Sequence, residues 1–151
     1  MSTEPRHDAI DPVEVVRGFY EPFRTGDTSA FDAVLAPDWV DIPLAPGQEQ
    51  GPGGMAAQIA LFRRAMPDYA VAHEDLIAQG DRVAVRNTVR GTHTGPFMGV
   101  EPTGRRIEMR TMDVHEVRDG RIVATWHLED FAGLMAQLRA PADAPVRPAW
   151  G

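Results

Sequence analysis

The hydrophobic period of this chain changes once, between Met66 and Tyr69, and that change fixes the kind of fold open to it. Before it, apolar residues recur at helical spacing. Val13, Val16, Phe19/Tyr20 and Phe23 form one stripe, and Met55, Ile59, Phe62 and Met66 another. After it, they alternate. Residues 69–78, 82–93, 105–117 and 121–128 read as strands. Gly80-Asp81 and Asp119-Gly120 mark hairpin turns, and residues 95–104 form a longer connection. Helices first and a strand meander after is the order of an α+β fold, with helices on one face of an antiparallel sheet.

Local signals place the element ends. Asp11 can cap a first helix, Pro12 suits its first turn, and Glu14 sits three residues after the cap. Gly26-Asp27 breaks that helix. Asp27 or Thr28 is expected to cap a second through Leu35, ended by Pro37. Residues 39–42 read as a short strand, 43–54 as a loop, and 55–66 as a third helix stopped by Pro67. A last helix spans about 131–138. The Pro-rich tail 140–151 is expected to be loosely held. With 151 residues, 43% apolar and 25% charged, the chain is expected to be one domain with its core at about 12–139.

Composition removes several chemistries. There is no cysteine, which excludes disulfides, a thiol nucleophile and thiolate metal sites. All 15 basic residues are arginine, so no lysine is present for a Schiff base. A net charge of −7 argues against nucleic acid as a partner. No apolar run approaches the ~18 residues of a membrane span. Residues 1–12 are polar and lack the apolar stretch of a signal peptide, so a cytoplasmic protein is expected.

Alternation sorts the strand residues into faces. One face carries Val83, Val85, Asn87, Val89, Gly91 and His93. It continues with Ile107, Met109, Thr111, Asp113, His115 and Val117, then Val123, Thr125 and His127. An apolar surface with a few embedded polar groups is what a small-molecule site looks like. The register of the last hairpin depends on its turn. A three-residue turn with Gly120 left-handed pairs Val117 with Arg121, setting His127 opposite Thr111 and diagonal to Asp113. That turn is expected here, over the two-residue Asp-Gly alternative.

Two segments carry a resemblance: RNTVRGTHTGPFMGVEPTGRRIEM from Arg86, and DVHEVRDGRIVATWHLEDFAGLMAQL from Asp113. Over about residues 12–139 the chain resembles the SnoaL-like family of polyketide cyclases, within the nuclear-transport-factor-like (ketosteroid-isomerase-like) fold. The resemblance implies a cone-shaped α+β barrel, a curved sheet wrapped by N-terminal helices around an apolar pocket. It implies aldol closure of an aromatic polyketide ring without a cofactor. Close relatives instead hydroxylate such rings. The family's cyclases use an Asp near the end of the last strand and a His on the strand before it. Matching the RDG turn and the DF that opens the final helix places these on His127 and Asp113, so the pair is exchanged here.

Aldol closure begins with removal of a proton from carbon between carbonyls, by a base whose pKa lies near the working pH. On sequence grounds His127 is the expected base, with Asp113 orienting it. Asn87, Thr125 or His115 is expected to steady the enolate oxygen. Thr111, Met109 and Tyr20 complete the expected substrate-binding set. Three functions compete: a cofactor-free cyclase, a ring hydroxylase with a reductase partner, and a non-catalytic binder of a planar apolar ligand. A metal site at His93, His115, His127 and Asp113 ranks below all three, and no metal is expected. The outer face of the last hairpin carries Met112, Val114, Ile122, Ala124 and Trp126. A face this apolar predicts a homodimer through Trp126 and Met112, unless the final helix or the tail with Trp150 covers it.

Overall fold

The computed structural model describes residues 10–151, and the polar stretch 1–9 lies outside the described residues. The elements run α1 (Pro12–Thr25), α2 (Phe31–Val34), β1 (Leu35–Ile42), α3 (Pro52–Ala65), β2 (Ala70–Gln79), β3 (Arg82–Thr92), β4 (Arg106–Arg118), β5 (Arg121–Glu129) and α4 (Phe131–Arg139). The five strands form one sheet in the order β1-β5-β4-β3-β2. Neighbours are antiparallel except β1, which lies parallel to β5 at the edge.

The first helix forms for the reasons its sequence gives. The Asp11 carboxylate accepts the Val13 N–H at 2.9 Å, and Gly26, at φ 76°, donates its N–H to the Pro22 carbonyl at 2.8 Å. That left-handed cap suits glycine. Its buried stripe of Val16, Phe19, Tyr20 and Phe23 packs with Met55 and Ile59 of α3 against Val83, Val85, Val89, Ile107 and Met109 of the sheet. Burying each large apolar side chain contributes about 1.5–3 kcal/mol, so this layer holds α1 on the inner face. The mixed α+β architecture, a curved sheet with helices packed on it, is the one expected.

Three local expectations are corrected. The second helix is a single turn, and β1 begins at Leu35 and runs through Pro37. An edge strand tolerates a missing N–H, and the register of β1 shifts between Leu35 and Val40 around it. The third helix starts at Pro52, because proline suits a first turn better than a loop interior. The last turn is not a three-residue one. Arg118 pairs with Arg121 across Asp119 (φ 50°) and Gly120 (φ 76°), the two positive φ values of a type I′ turn. A bulge then follows. Ile122 pairs with Val117 but Ala124 pairs with Glu116, which leaves Val123 as an extra residue on β5. That residue restores the facing of everything beyond it. Asp113 therefore lies directly opposite His127, and Glu129 takes the place opposite Thr111 expected for His127. The bulge also buries Ile122, which leaves it out of the expected outer patch.

Candidate active site

The inner face of the sheet, α1 and α3 enclose a cavity of about 80 Å³. Its wall is mostly apolar, with Phe19, Phe23, Phe62, Val89 and Met109, and its polar groups gather at Asp41, Asp113, His127 and Glu129. A second space of about 500 Å³ lies outside it, lined by Leu44, Leu61, Phe97 and Met98 among others. The two share Ala45, Gln58, Phe62 and His127, so they are an inner chamber and its vestibule. The inner chamber alone is below the roughly 300–1,000 Å³ of a drug-sized ligand's pocket.

Asp113 sits on β4 and is buried. Its Oδ2 accepts the Tyr20 hydroxyl at 2.5 Å and the Asn87 side-chain N–H at 3.1 Å. Its Oδ1 takes no hydrogen bond among the described residues, and Asp113 lines the chamber. Burial pushes the Asp113 carboxyl up to about 7, and the Glu129 and Asp41 charges add to this against the Tyr20 hydrogen bond and the His127 charge. Asn87 is itself held, donating to Thr111 Oγ1 at 3.1 Å while its Oδ1 faces His73 Nδ1 at 2.6 Å.

His127 faces the same chamber from β5, but Asp113 does not bond its ring. Its Nδ1 lies 2.6 Å from Glu129 Oε1, and its Nε2 lies 3.1 Å from Asp41 Oδ1. Burial alone would lower the His127 pKa, but the two carboxylates outweigh it and raise it to about 10. The imidazole is thus a cation at neutral pH. Its contact with Asp41 is an ion pair off a hydrogen bond's line, which leaves Nε2 and Asp41 Oδ1 buried without hydrogen-bond partners. The cationic ring thus stands in the chamber wall with its charge held between Asp41 and Glu129. Asp41 is fixed in turn by Gln48, whose Nε2 donates to its Oδ2 at 2.7 Å, and by Gln50, whose Oε1 accepts its N–H at 2.7 Å.

Of the expected set, His127, Asp113, Asn87, Thr111, Thr125, Met109 and Tyr20 all line the chamber. His115 does not. It is fully buried behind Tyr20, bonding Tyr20 and Thr125. His93 lies elsewhere, bonded through Nδ1 to Thr103. Among the described residues no group of three or more His, Asp or Glu is arranged to hold a metal. The residues missed were Asp41 and Glu129. Glu129 was within reach, since alternation carries the face of His127 two residues further. Asp41 was not, because a parallel edge strand leaves no hairpin signal to set its register.

An apolar cavity in a cone of sheet and helices, with one near-neutral carboxylate and one caged imidazolium, defines an acid/base enzyme on a small-molecule scaffold. The family model for SnoaL-like polyketide cyclases matches residues 14–138, and the chain belongs to that family. The nogalonic acid methyl ester cyclase of Streptomyces nogalater is 29% identical over 121 residues, covering 79% of this chain and 90% of the relative. The crystal structure of IdmH, a candidate polyketide cyclase from Streptomyces antibioticus, superimposes with a TM-score of 0.78 at 35% identity, covering 86% of this chain and 99% of IdmH. The structure of AclR, a candidate hydroxylase from Streptomyces galilaeus, superimposes with a TM-score of 0.75 at 27% identity, covering 91% and 87%. Among the described residues no helix is long and apolar enough to cross a membrane.

Proposed function

We propose that the chain closes a ring of an aromatic polyketide by intramolecular aldol condensation, with Asp113 as the base and His127 as the oxyanion's partner. The observation that carries this is the state of Asp113: buried, near-neutral, one oxygen tied down and the other open to the chamber. Its Oδ1 takes the proton from a carbon flanked by two carbonyls. The charge that develops on the carbonyl oxygen is met by the positive charge of the His127 ring in the chamber wall, which lowers the energy of an enolate. The enolate carbon then bonds to a ketone carbon, and the new alkoxide receives the proton that Asp113 holds. Proton count and charge balance, so no external acid is needed. This reassigns the roles expected from sequence: the free-solution pKa values favour His as base, but the cage of carboxylates removes that option. The chamber holds the reacting ring and the apolar vestibule the rest of a polycyclic substrate.

The test is deuterium exchange at the acidic carbon of a β-diketone polyketide ester in heavy water. The wild-type chain should catalyse exchange and ring closure, and Asp113→Asn should lose both by roughly 10²–10⁴-fold. Undiminished exchange in Asp113→Asn would rule out Asp113 as the base.

A ring hydroxylase is the second reading, favoured by the similarity to AclR. The same proton removal would give a carbanion for dioxygen, with a reductase partner supplying electrons for the second oxygen atom. Dioxygen uptake during turnover separates the two.

We also infer a homodimer. Ile42, Trp126, Val114, Ala84 and Ile77 are register partners across all five strands, and this transverse row on the outer face is entirely apolar. Ile77 is 64% exposed, and the neighbouring pair Met112 and Leu128 is 54% and 73% exposed. A second copy of the same face is the self-complementary cover for such a row.

A further inference from the structure

Tyr20, His115 and Thr125 are bound to one another more closely than a set of substrate contacts requires. Trp39 Nε1 donates to Thr125 Oγ1 at 3.0 Å, and Thr125 Oγ1 lies 2.9 Å from His115 Nδ1. His115 Nε2 lies 2.8 Å from the Tyr20 hydroxyl oxygen, which donates to Asp113 at 2.5 Å. All five side chains are buried. The direction of this chain is fixed from both ends. An indole N–H can only donate, and an ionised carboxylate can only accept. If the Tyr20 proton goes to Asp113, His115 Nε2 must donate to the Tyr20 oxygen. Burial, with the neighbouring His127 and His73 charges, drives the His115 pKa down to about 3, so its ring is neutral and Nδ1 is bare. Nδ1 then accepts the Thr125 hydroxyl proton, and the Thr125 oxygen accepts from Trp39.

We propose that Trp39, Thr125 and His115 are positioning residues for the reaction: they lock the His115 tautomer so that Tyr20 donates to Asp113, which leaves Oδ1 as the reacting oxygen and holds the carboxylate ready. The inference rests on the reading of Asp113 as the base. The lock works through tautomers. Without the Thr125 hydroxyl, His115 can carry its proton on Nδ1. Nε2 then becomes an acceptor, Tyr20 turns its proton toward it, and Asp113 loses its strongest donor. A carboxylate that loses a donor to its charged form titrates higher.

The other groups facing Asp113 are accounted for. From α1 comes Tyr20, from β1 Asp41, from the segment before β2 Tyr69, from β2 His73 through Asn87, from its own strand His115, and from β5 His127 and Glu129. None of them bonds Thr125 except His115. Removing the Thr125 hydroxyl therefore reaches Asp113 by one route.

The experiment is carboxyl carbon NMR of the ligand-free protein, with the Asp113 signal assigned by its loss in Asp113→Asn. The Asp113 midpoint should rise by roughly one to two pH units in Tyr20→Phe. It should rise by a smaller amount in Thr125→Val and Trp39→Phe, and return to the wild-type value in Thr125→Ser. A shift in Tyr20→Phe with none in folded Thr125→Val and Trp39→Phe would overturn the lock. Ring-nitrogen NMR of the wild type supplies a check that needs no variant. His115 should carry its proton on Nε2, and a proton on Nδ1 at neutral pH overturns the proposal. Both readouts are independent of turnover. If Asp113→Asn keeps its activity, the base assignment fails while the titration still decides the lock.

Discussion

At the scale of single residues, two ionisable groups in one chamber are pushed apart by their surroundings. Asp113 titrates near 7 through burial, and His127 near 10 because two carboxylates outweigh its burial. The rate should therefore need Asp113 ionised and His127 charged together. A plot of kcat/KM against pH is expected to be bell-shaped, with limbs near these two values, and His127→Gln should lose the alkaline limb while keeping the acid one. A profile with a single limb near 6.5 would return the base role to an unperturbed histidine. The same cage makes His127 a stability residue. Its folded pKa is raised above the unfolded ~6.5, so its contribution is fully present below that pH and is lost as pH rises through about 10. His127→Gln leaves Asp41 and Glu129 without their shared cation and is expected to cost roughly 3–5 kcal/mol near neutral pH. The gap should close toward pH 10, and chemical denaturation at pH 6 and pH 10 measures it. The sequence named both residues and their shared face. Their pKa values were not legible there, because a pKa is set by neighbours such as Asp41, on an edge strand whose pairing partner lies more than 80 residues away in sequence.

At the scale of elements, the last hairpin decides whether a site exists at all. Its type I′ turn by itself would pair Asp113 with Trp126 and send His127 to the outer face. The extra residue at Val123 reverses that. Deleting Val123 should therefore keep the turn and remove the bulge, with Ala124 following Ile122 directly onto Glu116 and His127 still opposite Asp113. The variant is expected to keep its turnover, and proton NMR should still show the His127 ring in its carboxylate cage. Loss of the cage after the deletion would mean that the register beyond the bulge is not set by the count of residues in the hairpin. The hairpin shows what was legible in the sequence and what was not. Alternation placed Asn87, Thr111, Asp113, Thr125 and His127 on the inner face, because a half-buried strand repeats every two residues. The expected three-residue turn reached the same facing through a different geometry. Asp119-Gly120 accommodates the two positive φ values, and a bulge inside an apolar run such as Ile122-Val123-Ala124 leaves no punctuation behind it. Helix ends marked by Asp11 and Gly26 were readable for the opposite reason: the capping group is itself the signal.

At the scale of the whole molecule, the outer face of the sheet is only partly covered by the chain itself. The tail folds back: Trp150 lies over Arg86 at 4.9 Å and beside Arg110 at 5.9 Å, and its indole N–H donates to the Asn87 carbonyl at 3.0 Å. It is anchored further by the Ala149 N–H, which donates to Glu108 at 2.9 Å. The tail expected to be loose is thus pinned along β3 and β4, and it shields the arginines there. It is not what meets the row of Ile42, Trp126, Val114, Ala84 and Ile77, where Ile42 remains 39% exposed and Ile77 64%. The Arg82 guanidinium lies over the Trp126 ring, 4.9 Å from its centre. A second sheet laid face to face on this row would bury the tryptophan at the centre, with Arg82 and Glu116 at the rim. Central tryptophans of this kind are the residues whose loss weakens an interface by 2 kcal/mol or more, about thirtyfold in the dissociation constant. Trp126→Arg also sets a cation beside Arg82 and its copy across the two-fold axis, so repulsion adds to the lost contact. Sedimentation equilibrium should show a dimer at micromolar concentration for the wild type and a monomer for Trp126→Arg, with His127 titrating as before because it faces the other side of the sheet. A wild-type monomer would mean that the row is left to solvent, and a dimer untouched by Trp126→Arg would move the interface to another face.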